Sequence, residues 1–206
     1  MFPKAGLYAI TKNEKNDQKL LTQIEAALMG GAHVIQYRDK IRTLAQQRPI
    51  ATAIKNLCAQ YAATFIINDH IELALSVDAH GVHLGVNDNS ITTARAKLGH
   101  KAIIGISCYN SLKRAETACQ QGANYIAFGR FFSSHNKPNA AQASPALLAT
   151  ANKKYKLPIV AIGGITPENG LSLLTSGAHL LAAIDSVFGS GDPKSNAKKF
   201  VSLFHK

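Results

Sequence analysis

The chain has 206 residues, 46% of them hydrophobic, enough for one domain with a full core. Lys and Arg number 23 against 12 Asp and Glu, a formal net charge of +11, so the expected partners are anions: small phosphorylated substrates or nucleic acid. No stretch approaches the length of a membrane span, and the opening Met1-Phe2-Pro3-Lys4 lacks the apolar run of a signal peptide.

Cys58, Cys108 and Cys119 are odd in number and form no CxxC pair, so neither a disulfide framework nor a zinc site is expected. A soluble cytoplasmic protein with free thiols is the default. Lys153, Lys154, Lys156, Lys194, Lys198 and Lys199 fall in helix-like segments and read as solvated faces. They lack the basic–aromatic interleaving of RNA-binding surfaces, so small phosphorylated molecules are expected as partners, with no nucleic acid and no membrane. A homo-oligomer stays open.

Short β-branched runs recur along the chain at 6–11, 33–38, 64–69, 81–85, 102–107, 125–129, 158–163 and 179–185. Helical segments lie between them at 19–28, 44–61, 91–98, 111–121, 145–155 and 167–175. Near-continuous apolar strands alternating with helices imply a parallel sheet buried on both faces. Eight such units in about 200 residues is the minimal size of a closed (β/α)₈ TIM barrel. A doubly wound sheet is the alternative, and the regular count of eight favours the barrel. No linker or composition shift marks a second domain, so residues 1–206 are read as one (β/α)₈-barrel catalytic domain. Gly31, Gly122 and Gly177 each follow a helix and precede a strand, the place of a left-handed C′ residue.

In such a barrel the chemistry sits at the C-terminal ends of the strands. Strand two ends Gln36-Tyr37-Arg38-Asp39-Lys40. Alternation puts Gln36, Arg38 and Lys40 on one face, and an apolar barrel interior would not tolerate that face without anionic partners. A strand end emerging into solvent explains Lys40 well, Arg38 less well and Gln36 poorly. Strand three ends Asn68-Asp69, and Asp88 follows strand four by three residues. Two carboxylates at neighbouring strand ends suit a hard cation such as Mg²⁺, although Asp is also a common helix N-cap and Asp88 could cap the helix near Ile91. Strand five ends at Ser107, a hydroxyl able to donate to phosphate.

The polar loop 130–139 after strand six carries hydroxyl, amide and ammonium donors of the kind that close over substrates. Strand seven ends Gly163-Gly164, followed by Thr166 as N-cap and Pro167 as first helical residue. Loops after strands seven and eight form the usual phosphate site of these barrels. Arg38, Lys40, Lys137 and Mg²⁺, less Asp69 and Asp88, leave roughly +3, against about −3 on a pyrophosphate monoester.

With these residues in place the chain resembles the thiamine-phosphate synthase family over essentially its whole length. The likeness rests on Gln36-Tyr37-Arg38-Asp39-Lys40, Ile67-Asn68-Asp69, Gly81-Val82-His83-Leu84-Gly85 with Asp88, and Ile104-Gly105-Ile106-Ser107. It extends through Ala127-Phe128-Gly129 with Lys137, and Val160-Ala161-Ile162-Gly163-Gly164-Ile165. The resemblance implies a transferase that condenses a hydroxymethylpyrimidine pyrophosphate with hydroxyethylthiazole phosphate, or its carboxylated form, giving thiamine phosphate and pyrophosphate.

By this likeness Gln36, Tyr37, Arg38, Asp39, Lys40, Asn68, Ser107 and Lys137 would bind the pyrimidine pyrophosphate. Asp69 and Asp88 would bind Mg²⁺. Ser134, His135, Asn136, Gly164, Ile184 and Asp185 would bind the thiazole phosphate. Arg38, Lys40 and Lys137 would be the catalytic cations, stabilising charge on the departing pyrophosphate. No strong base or covalent nucleophile is needed, and His83 is read as a structural barrel residue.

The chain departs from the family's usual pattern in three places. Ser134 and Asn136 stand where threonines are usual, Val86 where Gln is frequent, and Asp185 where many members have Ser. A carboxylate about 4 Å from a phosphate costs about 4 kcal/mol per charge pair at an effective dielectric near 20, so Asp185 is expected to offer its backbone N–H and turn its carboxylate away. Two other readings are carried: a thiazole phosphate tautomerase of the same family, which would not need the two acids or the cationic strand two, and a basic nucleic-acid-binding protein.

Overall fold

A computed structural model, describing residues 1–85, 88, 90–133 and 142–205, turns each apolar run into a strand. These are β1 Gly6–Ile10, β2 Val34–Tyr37, β3 Thr64–Asn68, β4 Gly81–Leu84, β5 Ile103–Tyr109, β6 Tyr125–Phe128, β7 Ile159–Ile162 and β8 Leu180–Ala183. Each pairs in parallel with its neighbours in sequence, and β8 pairs with β1. The barrel therefore closes, and the doubly wound alternative falls away.

Closure divides the core in two, because successive side chains of a strand point to opposite faces. Inside lie Tyr8, Val34, Ile66, Ile103, Tyr125, Val160 and Leu180, with Phe2 beneath them. Outside, Leu7, Ile35, Phe65, Val82, Ile104, Ile126 and Leu181 pack against the helices. Burying each such aliphatic side chain contributes about 1.5–3 kcal/mol, which explains why both faces of every strand are apolar along most of their length.

The helical layer is α1 Asp17–Met29, α2 Leu44–Gln60, α3 Ile71–Ser76, α4 Ile91–Leu98, α5 Leu112–Gln120, α6 Pro145–Lys154, α7 Pro167–Thr175, α8 Asp185–Phe188 and α9 Pro193–Val201. Asn16, Thr43, Ser90 and Ser111 each cap a helix by accepting from a backbone N–H three residues on. Gly31, Gly122 and Gly177 hold positive φ of 92, 86 and 108°, as expected of C′ residues. Thr166 and Pro167 open α7 as the sequence implies. Two helices had no counterpart in the sequence reading: α3, with six residues, and α8, with four. β5 runs two residues beyond Ser107 through an irregularity that ends at Tyr109.

The lumen is filled from below by aromatic rings. Phe2 stacks on Tyr125 with ring centroids 4.1 Å apart and planes 6° apart. Tyr125 has room because residue 105 is glycine: a Cβ there would lie 1.9 Å from the Tyr125 ring. Gly105→Ala is therefore expected to destabilise the fold by about 1–3 kcal/mol through overpacking, seen as a drop of several degrees in Tm. An unchanged melt would show that the Tyr125 ring does not fill this space.

Candidate active site

Above the aromatic floor, at the C-terminal ends of the strands, opens a cavity of about 320 Å³. Its walls include Gln36 and Arg38 from β2 and the residues after it, Asn68 from β3, His83 from β4, and Ser107 and Tyr109 from β5. Residues 129–130, 133, 162–166 and 182–186 supply the other side. Lys40 lies at the rim, where its Nζ donates to Asp69 Oδ2 at 2.6 Å. The alternation expected for Gln36, Arg38 and Lys40 thus brings all three to the mouth.

Tyr37 and Asp39 alternate with these three. Both were expected at the pyrophosphate, but their side chains point the other way, by the same alternation. The Tyr37 ring is buried between sheet and helices, and its hydroxyl donates to Asp39 Oδ2 at 3.1 Å. Asp39 accepts from the backbone N–H of Ile41 and Arg42 and pairs with the Arg42 guanidinium at 2.6 Å. Burial pushes the Asp39 carboxyl up, but these amides and the guanidinium outweigh it and hold the group below the usual aspartate range. This pair shapes the turn between β2 and α2, and its side chains are not part of the cavity wall.

The two acids meet. Asp69 follows β3 in a left-handed conformation, φ 62°, which Asp tolerates better than most residues. Asp88 Oδ2 accepts from Gly85 N at 2.6 Å. It does not cap α4, because Ser90 does so by accepting from Thr93 N at 3.1 Å. A Cβ on Gly85 would lie 2.9 Å from Asp88 Oδ2, so a side chain there would make the carboxylate shift.

The electrostatics split the pair. Burial raises the Asp69 carboxyl, yet the Lys40 ammonium and the contact with Asp88 hold it below the ordinary range. Burial, and then the neighbouring Asp69, push Asp88 above it, only partly relieved by the Gly85 N–H. Two carboxylates this close disfavour both being charged at once, and a divalent cation with oxygen ligands is the natural relief.

Between this mouth and the floor runs a line of polar side chains. Gln36 Nε2 donates to Tyr8 Oη at 2.8 Å, and Tyr8 Oη lies 2.8 Å from Tyr125 Oη. His83 bridges Tyr125 Oη through Nδ1 and Ser107 Oγ through Nε2, each at 2.9 Å. His83 is a barrel residue, as read from the sequence, but it also lines the cavity. Tyr8, Tyr109, Tyr125 and Arg130 drew no attention in the sequence. Strand parity was the available signal for two of them: Tyr8 is in phase with Ile10, and Tyr125 with Ala127.

Across the mouth, Gly163 and Gly164 line the cavity and hold φ of 104 and 64°. Each lacks a side chain for a steric reason. A Cβ on Gly163 would lie 2.3 Å from Arg130 Cβ, and one on Gly164 would lie 2.2 Å from the Ser133 carbonyl oxygen. Phe131 N and Phe132 N donate to the Ile162 and Gly163 carbonyls, tying the chain after β6 to the end of β7. α8 starts at Asp185, and Ile184 and Asp185 both reach the cavity wall. Ser134, His135, Asn136 and Lys137, expected at the substrates, lie outside the described residues, as does Val86.

A parallel barrel with cations, paired acids and a close-packed glycine rim at one mouth defines a (β/α)₈ enzyme acting on anionic small molecules. Residues 7–187 match the family model described as thiamine monophosphate synthase. A thiamine-phosphate synthase of Nitrosococcus oceani is 50% identical over 200 residues, 97% of this chain and 92% of that protein. One from Nitrosospira multiformis is 46% identical over 98% of this chain and 86% of its own. The solved thiamine phosphate pyrophosphorylase of Pyrococcus furiosus has a TM-score of 0.88 at 31% identity, covering 98% of this chain and 96% of that one. The chain belongs to the thiamine monophosphate synthase family, whose members are transferases of thiamine biosynthesis.

The separation of Asp39 from the site gives a stability prediction. Asp39→Asn is expected to cost about 1.5–3 kcal/mol near neutral pH, read by urea denaturation. A carboxyl held low in the folded state contributes above its unfolded pKa, and that contribution is lost as pH falls through the folded one. The gap between wild type and variant should therefore narrow as pH drops from about 5 towards 2. A gap that stayed constant with pH would show that the Asp39 charge is not what stabilises the turn.

Proposed function

We propose that the chain condenses 4-amino-2-methyl-5-hydroxymethylpyrimidine pyrophosphate with hydroxyethylthiazole phosphate, or its carboxylated form, to give thiamine phosphate and pyrophosphate. The observation that carries this reading is the meeting of Asp69 and Asp88 under Lys40, at the rim of a cavity lined by Arg38, Asn68 and Ser107. Gln36, Arg38, Lys40, Asn68 and Ser107, with Lys137, hold the pyrimidine pyrophosphate. Gly164, Ile184 and Asp185, with Ser134, His135 and Asn136, hold the thiazole phosphate.

Asp69 and Asp88 suit Mg²⁺, because they offer only oxygen donors and are too close to carry two full charges unaided. Bound there, the metal supplies positive charge to the pyrophosphate oxygens. The chain's own part is electrostatic and positional. Arg38 and Lys40 stabilise the charge that develops as the bond between the pyrimidine methylene carbon and the pyrophosphate oxygen breaks, the electron pair leaving with oxygen. The rim on β6 to β8 orients the thiazole so that its nitrogen lone pair forms the new carbon–nitrogen bond. Asp185 serves through its backbone N–H, its carboxylate turned from the phosphate.

On this reading the +11 charge serves phosphorylated small molecules rather than nucleic acid or membrane, residues 1–206 act as one catalytic domain in the cytoplasm, and a homo-oligomer is compatible with it. Among the described residues no helix is long and apolar enough to cross a membrane.

The test is an assay of both substrates with and without Mg²⁺, followed by detection of thiamine phosphate. No product under any condition overturns the proposal. Asp69→Ala and Asp88→Ala should each lose activity by at least about 100-fold while melting as folded proteins, an effect of the size found when a transition-state charge partner is removed. Retained condensation in both variants would show that Asp69 and Asp88 do not hold the metal the reaction uses. Thiazole phosphate binding that tightened more than tenfold in Asp185→Ser would show that the carboxylate faces the phosphate.

A further inference from the structure

The line of polar groups across the lumen joins five strands: Gln36 on β2, Tyr8 on β1, Tyr125 on β6, His83 on β4 and Ser107 on β5. Its members have few protons to distribute. A phenol carries one O–H and can donate once, a neutral imidazole donates from one nitrogen and accepts at the other, and a serine hydroxyl donates once. Gln36 Nε2 is a donor only, so Tyr8 Oη accepts from it. The single Tyr8 proton then goes to its other partner, Tyr125 Oη. Tyr125 has now accepted, and its own proton goes to His83 Nδ1. His83 accepts at Nδ1, so its proton sits on Nε2 and is donated to Ser107 Oγ. Ser107 has accepted and keeps its proton for the cavity it lines.

Run in reverse, the chain needs the Gln36 amide turned over, with Oε1 in the place that Nε2 holds. Ser107 would donate to His83, His83 to Tyr125 and Tyr125 to Tyr8, and the Tyr8 proton would face the Gln36 amide nitrogen, another donor. Two donors would then face each other where Tyr8 is 1% exposed and Tyr125 0%, so the direction of the chain follows the Gln36 amide orientation, which turns Nε2 toward Tyr8. Burial raises both phenols above their ordinary range, so both keep their protons and remain one-proton members of the chain. Aligned hydrogen bonds of one sense also polarise each other, strengthening the last donor of the series.

We infer that Tyr8, Tyr125 and His83 are positioning residues that fix the Ser107 hydroxyl as a hydrogen-bond donor into the cavity, toward an anionic group of the bound substrate. His83 is held in its Nε2–H form from behind, by the Tyr125 hydroxyl that Tyr8 in turn supports, and direction is set by the Gln36 amide. The inference rests on the reading of Ser107 as a pyrophosphate contact, but its first test does not.

That test is the ring-nitrogen state of His83 by long-range proton–nitrogen correlation on ¹⁵N-labelled wild-type protein without substrate. The proton is expected on Nε2, with Nδ1 unprotonated. A proton on Nδ1 overturns the inference, whatever the enzyme catalyses. The second test is a cycle with Tyr125→Phe, which keeps the ring stacked on Phe2 and removes only the hydroxyl. Binding of inorganic pyrophosphate with Mg²⁺, followed by calorimetry, should weaken about five- to tenfold in Tyr125→Phe, the worth of one hydrogen bond. It should weaken at least as much in Ser107→Ala.

Because Tyr125 acts through Ser107, adding Tyr125→Phe to Ser107→Ala should weaken binding no further. An equal loss in both backgrounds means a merely structural tyrosine and overturns the inference. Should Tyr125→Phe fail to fold, Tyr8→Phe takes its place in the same cycle with the same expectation. Wild-type protein that binds no pyrophosphate at all would count against the proposed function, while the His83 proton position would still decide the relay.

Discussion

A closed barrel sends every second side chain of its strands into a lumen from which there is no sideways exit to water. A polar group sent there must find its partner on another strand or remain unsatisfied at a cost of about 1–3 kcal/mol. Tyr8, Tyr125 and His83 meet this demand among themselves, and they do it one layer above the ring of Phe2. The cavity consequently has a floor with hydrogen-bonding capacity, and Gln36 and Ser107 stand at the two ends of that line of bonds. The catalytic mouth is built on a layer already ordered before any substrate arrives.

The mouth itself is organised by charge. Asp69 is stabilised as a carboxylate by Lys40, and its presence makes Asp88 harder to ionise. Left alone, such a cluster stores repulsion; with a divalent cation and a polyanion it becomes balanced. The opposite rim works by a different means. There the backbone after β6 packs so closely on Gly163 and Gly164 that no side chain fits between them, and the chain that enters 134–141 is anchored by Phe131, Phe132 and Ala143. One side gathers charged side chains and the other presents close-packed backbone.

The barrel was legible because its strands are apolar on both faces, a pattern that parallel sheets alone require over most of their length. The face-sharing of Gln36, Arg38 and Lys40 followed from parity, and so did the pointing away of Tyr37 and Asp39; the family motif, taken as an unbroken run, obscured that second consequence. α3 and α8 escaped because six and four residues are too few to show a helical period. The end of β5 escaped because the irregularity between Ser107 and Tyr109 breaks the alternation that marks a strand. Tyr8 and Tyr125 looked like ordinary strand aromatics. Their bond spans 117 positions in sequence, and no local pattern announces a partner so distant.

The empty place at Gly105 and the ring at Tyr125 are one decision recorded at two positions. A methyl group at 105 has nowhere to go while the ring stands, and a smaller residue at 125 leaves Phe2 without its stacking partner and His83 without a bond. A lineage descending from this chain cannot drift through these sites one substitution at a time without passing through a poorly packed intermediate. The floor of the barrel changes as a set or is inherited whole.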